Sequence, residues 1–171
     1  MNLIQFLARR RVALGFVTAI AVLIFSRPTW ATWRLGLLVA CAGEALRIWA
    51  AGHLEKGREV TQSGPYRWTR HPLYAGSTIM ALGIVIASRS AIVTVLIALY
   101  MTATLAAAIH TEETFLQRTF GATYEQYRAR QGEPAQRRFS MARAMRNREY
   151  RAVAGLAAGF ALLALKAAGS L

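Results

Sequence analysis

Five apolar runs separated by short clusters of charge restrict this 171-residue chain more than any other feature. They cover about Val12 to Phe25, Trp30 to Gly52, Pro72 to Ser88, Ala91 to Ile109 and Ala152 to Ala168. A helix needs roughly 17–25 mostly apolar residues to cross a bilayer, and most of these runs approach or reach that length. The first is short and gains length by drawing on Leu3–Leu7 or by tilting; the last is marginal. The expected fold class is all-α: a polytopic integral membrane helical bundle of about five transmembrane helices. It forms one domain over residues 1–171.

Charge supports that reading. Net charge is +13, from 21 Lys and Arg against 8 acids, with no Asp in the chain. In a soluble chain this balance points to nucleic acid. Here the basic residues sit between the apolar runs, where they fix the orientation of a membrane protein, so no nucleic-acid partner is expected. With the N-terminus inside, the inner faces carry Arg9–Arg11, then Lys56, Arg58, Arg67 and Arg70, then nine arginines from Arg118 to Arg151. The outer faces keep Arg27, Arg89 and Lys166, with Arg34 nearby. The expected location is a multi-pass membrane protein with N-terminus and active site cytoplasmic. Arg9–Arg11 before an apolar run resemble a signal peptide, but Ser26-Arg27-Pro28 is a poor cleavage site and further runs follow. Cys41, the only cysteine, lies mid-run and rules out an intramolecular disulfide framework or thiolate cluster.

Between the second and third runs stands SGPYRWTRHPLY, Ser63 to Tyr74. Pro65 and Pro72 restrict its backbone and Gly64 widens it. Tyr66, Trp68, His71 and Tyr74 add hydrogen-bonding and stacking groups beyond what a connecting loop needs. Glu44 and Arg47, three residues apart, share a face inside the second run. They are either a mutually neutralising packing pair or part of a site. Small residues Ala75, Gly76, Ser77, Ala81 and Gly83 allow close approach of the third run to a neighbour. Ser88-Arg89-Ser90 makes runs three and four an antiparallel hairpin. Leu116, Phe120, Tyr124 and Tyr127 form one helical stripe, which suits a helix lying on the membrane or packing over the polar loop. Arg137, Arg138, Arg143, Arg146 and Arg148 then suggest attraction to anionic headgroups.

Several chemistries are absent: no glycine-rich phosphate loop, no HExxH or CxxC and no nucleophile elbow. His53, His71, His110 and Glu112 match no metal-ligand spacing, and no metal is expected. What remains is a cytoplasmic pocket with carboxylates, aromatic rings and a histidine, open sideways to lipid. It suits a soluble cofactor bearing positive charge beside a membrane-dissolved substrate.

The blocks GPYRWTRHPLYAG and EETFLQRTFGATYEQYR carry a resemblance. They are similar to those of the isoprenylcysteine carboxyl methyltransferase family and the broader phospholipid methyltransferase group. Gly64, Pro65, Tyr66, Arg70, His71, Pro72, Tyr74 and Gly76 match the first block; Glu112, Glu113, Leu116, Phe120, Gly121, Tyr124 and Tyr127 match the second. The resemblance covers about Lys56 to Arg128. It implies a membrane methyltransferase that uses S-adenosyl-L-methionine and a lipid-like acceptor, without a soluble Rossmann domain. Carried over, Val60, Thr61, Tyr66, His71, Pro72, Leu73 and Tyr74 line the cofactor, and Glu112 binds a polar group on it. His71 and Glu113 are the catalytic candidates where the acceptor needs a base, and Glu113 is otherwise placed to hold Arg70 or Arg67. Arg47 and Arg70 are the cations available to the substrate. The chain departs from the prenylcysteine pattern at Ala108, where many such enzymes carry arginine, and after Tyr127, where Pro134-Ala135-Gln136-Arg137-Arg138-Phe139 and another apolar run follow. Both departures shift the expected acceptor away from a prenylcysteine carboxylate. The alternatives are an NADPH-dependent sterol-type membrane reductase, whose fold and RHxxY-like turn are related, and a non-catalytic membrane scaffold.

Overall fold

The computed structural model describes residues 3–131 and 136–169, which are helical with connecting loops and no strand among them. In order these are α1 (Leu3–Phe25), α2 (Trp30–Ala51), a 3-10 turn at Gly64–Arg67, α3 (Pro72–Ser88), α4 (Ala91–Arg128), α5 (Met141–Arg146) and α6 (Tyr150–Ala167). Pro134 and Ala135, part of the departure noted above, lie outside the described residues.

Local chemistry explains the boundaries. Thr29 and Thr32 cap α2 reciprocally: the Thr32 amide donates to Thr29 Oγ1 at 3.3 Å and the Thr29 amide to Thr32 Oγ1 at 3.0 Å. Pro72 opens α3, where its missing amide costs nothing. Arg89, at φ 48°, turns the chain tightly into Ser90, whose hydroxyl caps α4.

α2 is the centre of the bundle, and its closest partner is α3. Gly36 and Gly43 on α2 meet Gly83 and Gly76 on the antiparallel α3. A Cβ on Gly36 would stand 2.4 Å from the Gly83 carbonyl oxygen, and one on Gly83 would stand 2.5 Å from that of Gly36. At the other end a Cβ on Gly43 would stand 2.6 Å from the Gly76 oxygen. Both glycine pairs repeat at seven residues, so one stripe on each helix lets the backbones touch. The small residues of the third run therefore serve α2, while α3 also contacts α4 across the short turn.

α6 packs across α1 and α2. Trp33 Nε1 donates to the Phe160 carbonyl at 2.8 Å, and Lys166 Nζ donates to the α1 C-terminal carbonyls of Leu23 and Ile24. Ala40, Ala87, Phe160 and Leu163 form one buried cluster; Val22, Val93 and Ile97 form another, with Ile84 touching both. The outside is apolar instead: Phe16 and Leu38 are each 69% exposed and Leu99 is 65% exposed. Large exposed apolar side chains of this kind suit contact with lipid. Two helices, α4 and α6, are long and apolar enough to cross a membrane, with shorter apolar helices at Ala13–Phe25 and Pro72–Ser88. That is fewer than the five spans expected; α2, carrying Arg34, Glu44 and Arg47, is not among them.

Two expectations change. The fourth run continues as helix through His110 to Phe120 and carries the first half of the aromatic stripe; a kink at Gly121, where φ 46° and ψ −118° favour glycine, separates it from a short helical stretch that ends at Arg128. At about 1.5 Å per residue the part before the kink extends beyond a bilayer core of about 30 Å. The basic segment after it also turns inward. Arg137 makes a two-pronged pair with Glu59 at 2.6 and 2.7 Å, while Arg143 and Arg146 reach Glu55 at 2.7 and 3.3 Å. Phe139 covers Gly52, where a Cβ would lie 2.2 Å from its ring, and Asn147 Nδ2 donates to the Ala51 and Leu54 carbonyls at 2.9 Å each. Three of the arginines expected at headgroups thus fasten residues 137–146 to the loop that follows α2.

The glycine contact gives a direct test. Gly83→Ala forces backbone against backbone and is expected to cost about 1–3 kcal/mol. Gly155→Ala, whose added Cβ meets nothing within 4 Å, is expected to leave stability unchanged or raise it by up to about 1 kcal/mol. Thermal unfolding of the two variants in nonionic detergent measures the difference; equal effects would remove the close crossing.

Candidate functional site

The loop from His53 to His71 is held from within before it holds anything else. His53 Nδ1 and Ser63 Oγ hydrogen-bond at 3.0 Å, both buried. Gly64 packs on that imidazole with φ +58°, and a Cβ there would lie 2.5 Å from the ring, so both space and backbone require glycine. Burial, then Arg143 and Arg137, pushes the His53 imidazole below its usual range, which keeps it a neutral hydrogen-bonding group. Thr61 Oγ1 accepts the Glu55 amide at 3.2 Å. Pro65 stands in the first turn of the 3-10 helix, and both it and Tyr66 are buried. From α4, the Tyr127 hydroxyl donates to the Tyr66 carbonyl at 2.7 Å, fixing the turn against the second motif block.

At the start of α3 the two blocks meet. His71 Nε2 lies 3.2 Å from Glu113 Oε1, and His71 Nδ1 lies 3.8 Å from Glu112 Oε2. Successive helix positions diverge by about 100°, so the two glutamates flank the imidazole instead of sharing one ligand. Arg70 pairs with Glu113 at 2.9 Å, which settles the choice between Arg70 and Arg67 as its partner. Burial pushes the Glu113 carboxyl up, but the His71 hydrogen bond and the Arg70 charge outweigh it and hold it below its usual range. The His71 and Tyr74 rings stack at 5.6 Å.

Beside this cluster is a cavity of about 750 Å³ bounded by α2, the loop, α3, α4 and the residues before α6. Val60, Thr61, Tyr66, Leu73, Tyr74 and Glu112 line it, as do Arg47 and Arg70. His71, Pro72 and Glu113 do not line it; they stand behind the wall that Tyr74 and Glu112 form. Burial, followed by the charges of Glu112 and other neighbours, pushes the Tyr66 hydroxyl well above its usual range, so it stays protonated. Tyr127, also in the wall, is pushed up to about 12, chiefly by burial.

Glu44 and Arg47 have a third member that sequence reasoning missed. Arg47 reaches Glu149, just before α6, at 2.7 Å, with Glu44 at 3.6 Å. Its other terminal nitrogen donates to Ser77 Oγ and the Leu73 carbonyl. Glu149 and Asn147 line the cavity as well. The only available signal was an acid standing next to an apolar run inside a basic segment.

Comparison with known proteins gives the chain a family. The phospholipid methyltransferase family model matches residues 11–123, spanning both motif blocks up to Thr123 and leaving out α5, α6 and Glu149. The cobalt-zinc-cadmium resistance protein CzcN of Cupriavidus metallidurans is 32% identical over 128 residues, 68% of this chain and 59% of that protein. A protein-S-isoprenylcysteine O-methyltransferase of Schizosaccharomyces pombe is 34% identical over 87 residues, 51% of this chain and 37% of that protein. A probable protein-S-isoprenylcysteine O-methyltransferase of Oryza sativa subsp. indica is 31% identical over 110 residues, 57% of this chain and 58% of that protein. The chain thus spans less than two thirds of the length of each relative. No solved structure matches. With the matched region containing the loop, His71 and the Glu112–Glu113 pair, the chain belongs to the phospholipid methyltransferase family.

Proposed function

We propose that this protein transfers a methyl group from S-adenosylmethionine to a lipid-like acceptor that reaches the cavity from the membrane. The observation that carries this reading is the gathering of Val60, Thr61, Tyr66, Leu73, Tyr74 and Glu112 around one space. Apolar, aromatic and anionic surfaces there suit a ligand with a purine ring, ribose hydroxyls and positive charge. When bound, the cofactor supplies an activated methyl on its sulfonium. The chain's part is orientation. Glu112 accepts hydrogen bonds from a hydroxyl or ammonium, and the protonated Tyr66 phenol remains available as a donor. His71, Glu113 and Arg70 tie the start of α3 to α4 and set the Tyr74 ring, so we assign His71 and Glu113 a positioning role behind the cavity wall.

In this reading α1, α2, α3, the first half of α4 and α6 cross the membrane within one domain, with the cavity on the cytoplasmic side. The bias of arginines toward the inner loops supports that orientation, and the position of α2 between α3 and α6 accounts for its charged residues. The reductase alternative requires cations for phosphates. In the wall Arg47 and Arg70 are already paired with glutamates, leaving Lys56, which is exposed. The metal-resistance name of the Cupriavidus relative has no ligand set here: among the described residues no group of three or more His, Cys, Asp or Glu is arranged to hold a metal.

In nonionic detergent, S-adenosylhomocysteine at a hundredfold excess over its Kd is expected to stabilise the full chain by about 2.7 kcal/mol, read as a rise in Tm. NADPH is expected to have no effect. Glu112→Ala should weaken that binding about tenfold, the loss of one charge-assisted hydrogen bond. Tritiated methyl should pass from the donor into extractable lipid with wild type; the scaffold reading predicts none. A shift with NADPH alone would reverse the assignment.

The Glu113 pair also fixes a pH dependence. Its folded pKa is depressed, so its contribution is present above the ordinary carboxylate pKa and is lost as pH falls through the folded value. The stability advantage of wild type over Glu113→Gln should stay level from pH 8 down to about 5 and shrink below that. A gap that widens on acidification would contradict the assignment.

A further inference from the structure

We propose that Glu149 selects the acceptor: the buried end of the cavity admits a neutral or cationic group that donates a hydrogen bond, and turns away a carboxylate. The inference rests on the methyl-transfer reading of the same cavity.

Glu149 stands at the N-cap position of α6 without a side-chain cap bond, is 6% exposed and forms part of the wall together with Arg47. An arginine in such a position would ordinarily receive an anion, but both terminal nitrogens of Arg47 are already engaged. One terminal nitrogen faces Glu149 Oε1 at 2.7 Å, the other serves Ser77 and the Leu73 carbonyl, and Nε points toward Glu44 at 3.6 Å. Two buried carboxylates therefore share one guanidinium. Within this ion-paired group neither oxygen of Glu44, nor Oε1 of Glu149, nor Arg47 Nε completes a well-aligned hydrogen bond among the described residues, so three accepting atoms stand against one unfilled donor. The excess is on the accepting, negative side.

The remaining wall does not offset it. Arg70 is held by Glu113 at 2.9 Å, and Lys56 is exposed at the aqueous rim. Ala108 lines the cavity with a methyl group. A carboxylate entering from lipid would lose its water without gaining a free buried cation, and would stand near like charge. An alcohol, a phenol or an amine brings a hydrogen for the accepting oxygens instead. Glu149 lies outside the region matched by the family model, so the selecting group belongs to the chain's own C-terminal part.

Three acceptors with the same alkyl chain test this: dodecylamine, para-dodecylphenol and dodecanoate. Each is offered to the full chain in nonionic detergent with tritiated S-adenosylmethionine, and kcat/KM is measured. Wild type is expected to favour the amine or the phenol over dodecanoate by about a hundredfold, the scale of one like-charge repulsion. Glu149→Gln releases Arg47 toward the cavity and is expected to bring that ratio below about tenfold. Glu149→Asp, which keeps the charge, should retain most of the selectivity, as a merely structural role would not predict. The S-adenosylhomocysteine shift in Tm serves as the control in every variant. Wild type that methylates dodecanoate as readily, transfer to none of the three, or unchanged selectivity in a Glu149→Gln that keeps the shift would each overturn the inference. Loss of that shift in wild type would instead overturn the methyl-donor reading beneath it. If Glu149→Gln fails to fold, the wild-type ratio and Glu149→Asp still decide.

Discussion

Contact between the backbones of α2 and α3 is the constraint on which the rest depends. Gly36 against Gly83 and Gly43 against Gly76 bring the helices close enough that no Cβ fits between them. The same closeness places Arg47: a Cβ on Gly76 would lie 2.6 Å from Arg47 Cγ. Its guanidinium then meets Ser77 and Leu73 on α3 and Glu149 before α6. A charged residue inside an apolar helix is costly unless paired. Here the helix crossing supplies the partners and also one wall of the cavity.

Electrostatics does a second, local task. The loop between α2 and α3 has little apolar surface of its own, and it is fixed by pairs between arginines of the C-terminal segment and Glu55 and Glu59. Arg143 holds the Glu55 carboxyl below its usual range through a charge-assisted hydrogen bond. From the other side Tyr127 grips the Tyr66 carbonyl. The loop is thus held by α4 and by the α5 region at once, which gives the proposed donor site rigid support on both sides.

Much of this was legible in the sequence because its signals are local. The apolar runs placed the helices, Pro72 placed the start of α3, and the motif blocks contain Tyr66, Tyr74 and Glu112, which line the cavity, beside His71, Pro72 and Glu113, which do not. The close partner of Gly76 and Gly83 was not legible, because a small-residue stripe states that something comes near without stating what. Arg137 and Arg143 read as charge for anionic headgroups because their acids lie far away in the chain. Glu149 was overlooked for the same reason: one acid among arginines acquires meaning only once Arg47 is beside it. The continuity of α4 through His110 was hidden by the change from apolar to amphipathic pattern there, which marks a change of surroundings; the break in the helix comes later, at Gly121.

The central claim is that the two motif blocks form one methyl-donor site. Ultraviolet crosslinking of S-adenosylmethionine, labelled in its methyl group, to the detergent-solubilised full chain addresses it most directly, with the labelled peptides identified by mass spectrometry. The account predicts label in the peptides that contain Tyr66 to Tyr74 and Glu112, suppressed by excess S-adenosylhomocysteine. Label confined to α6 or the α5 region, or label that S-adenosylhomocysteine does not displace, would contradict it.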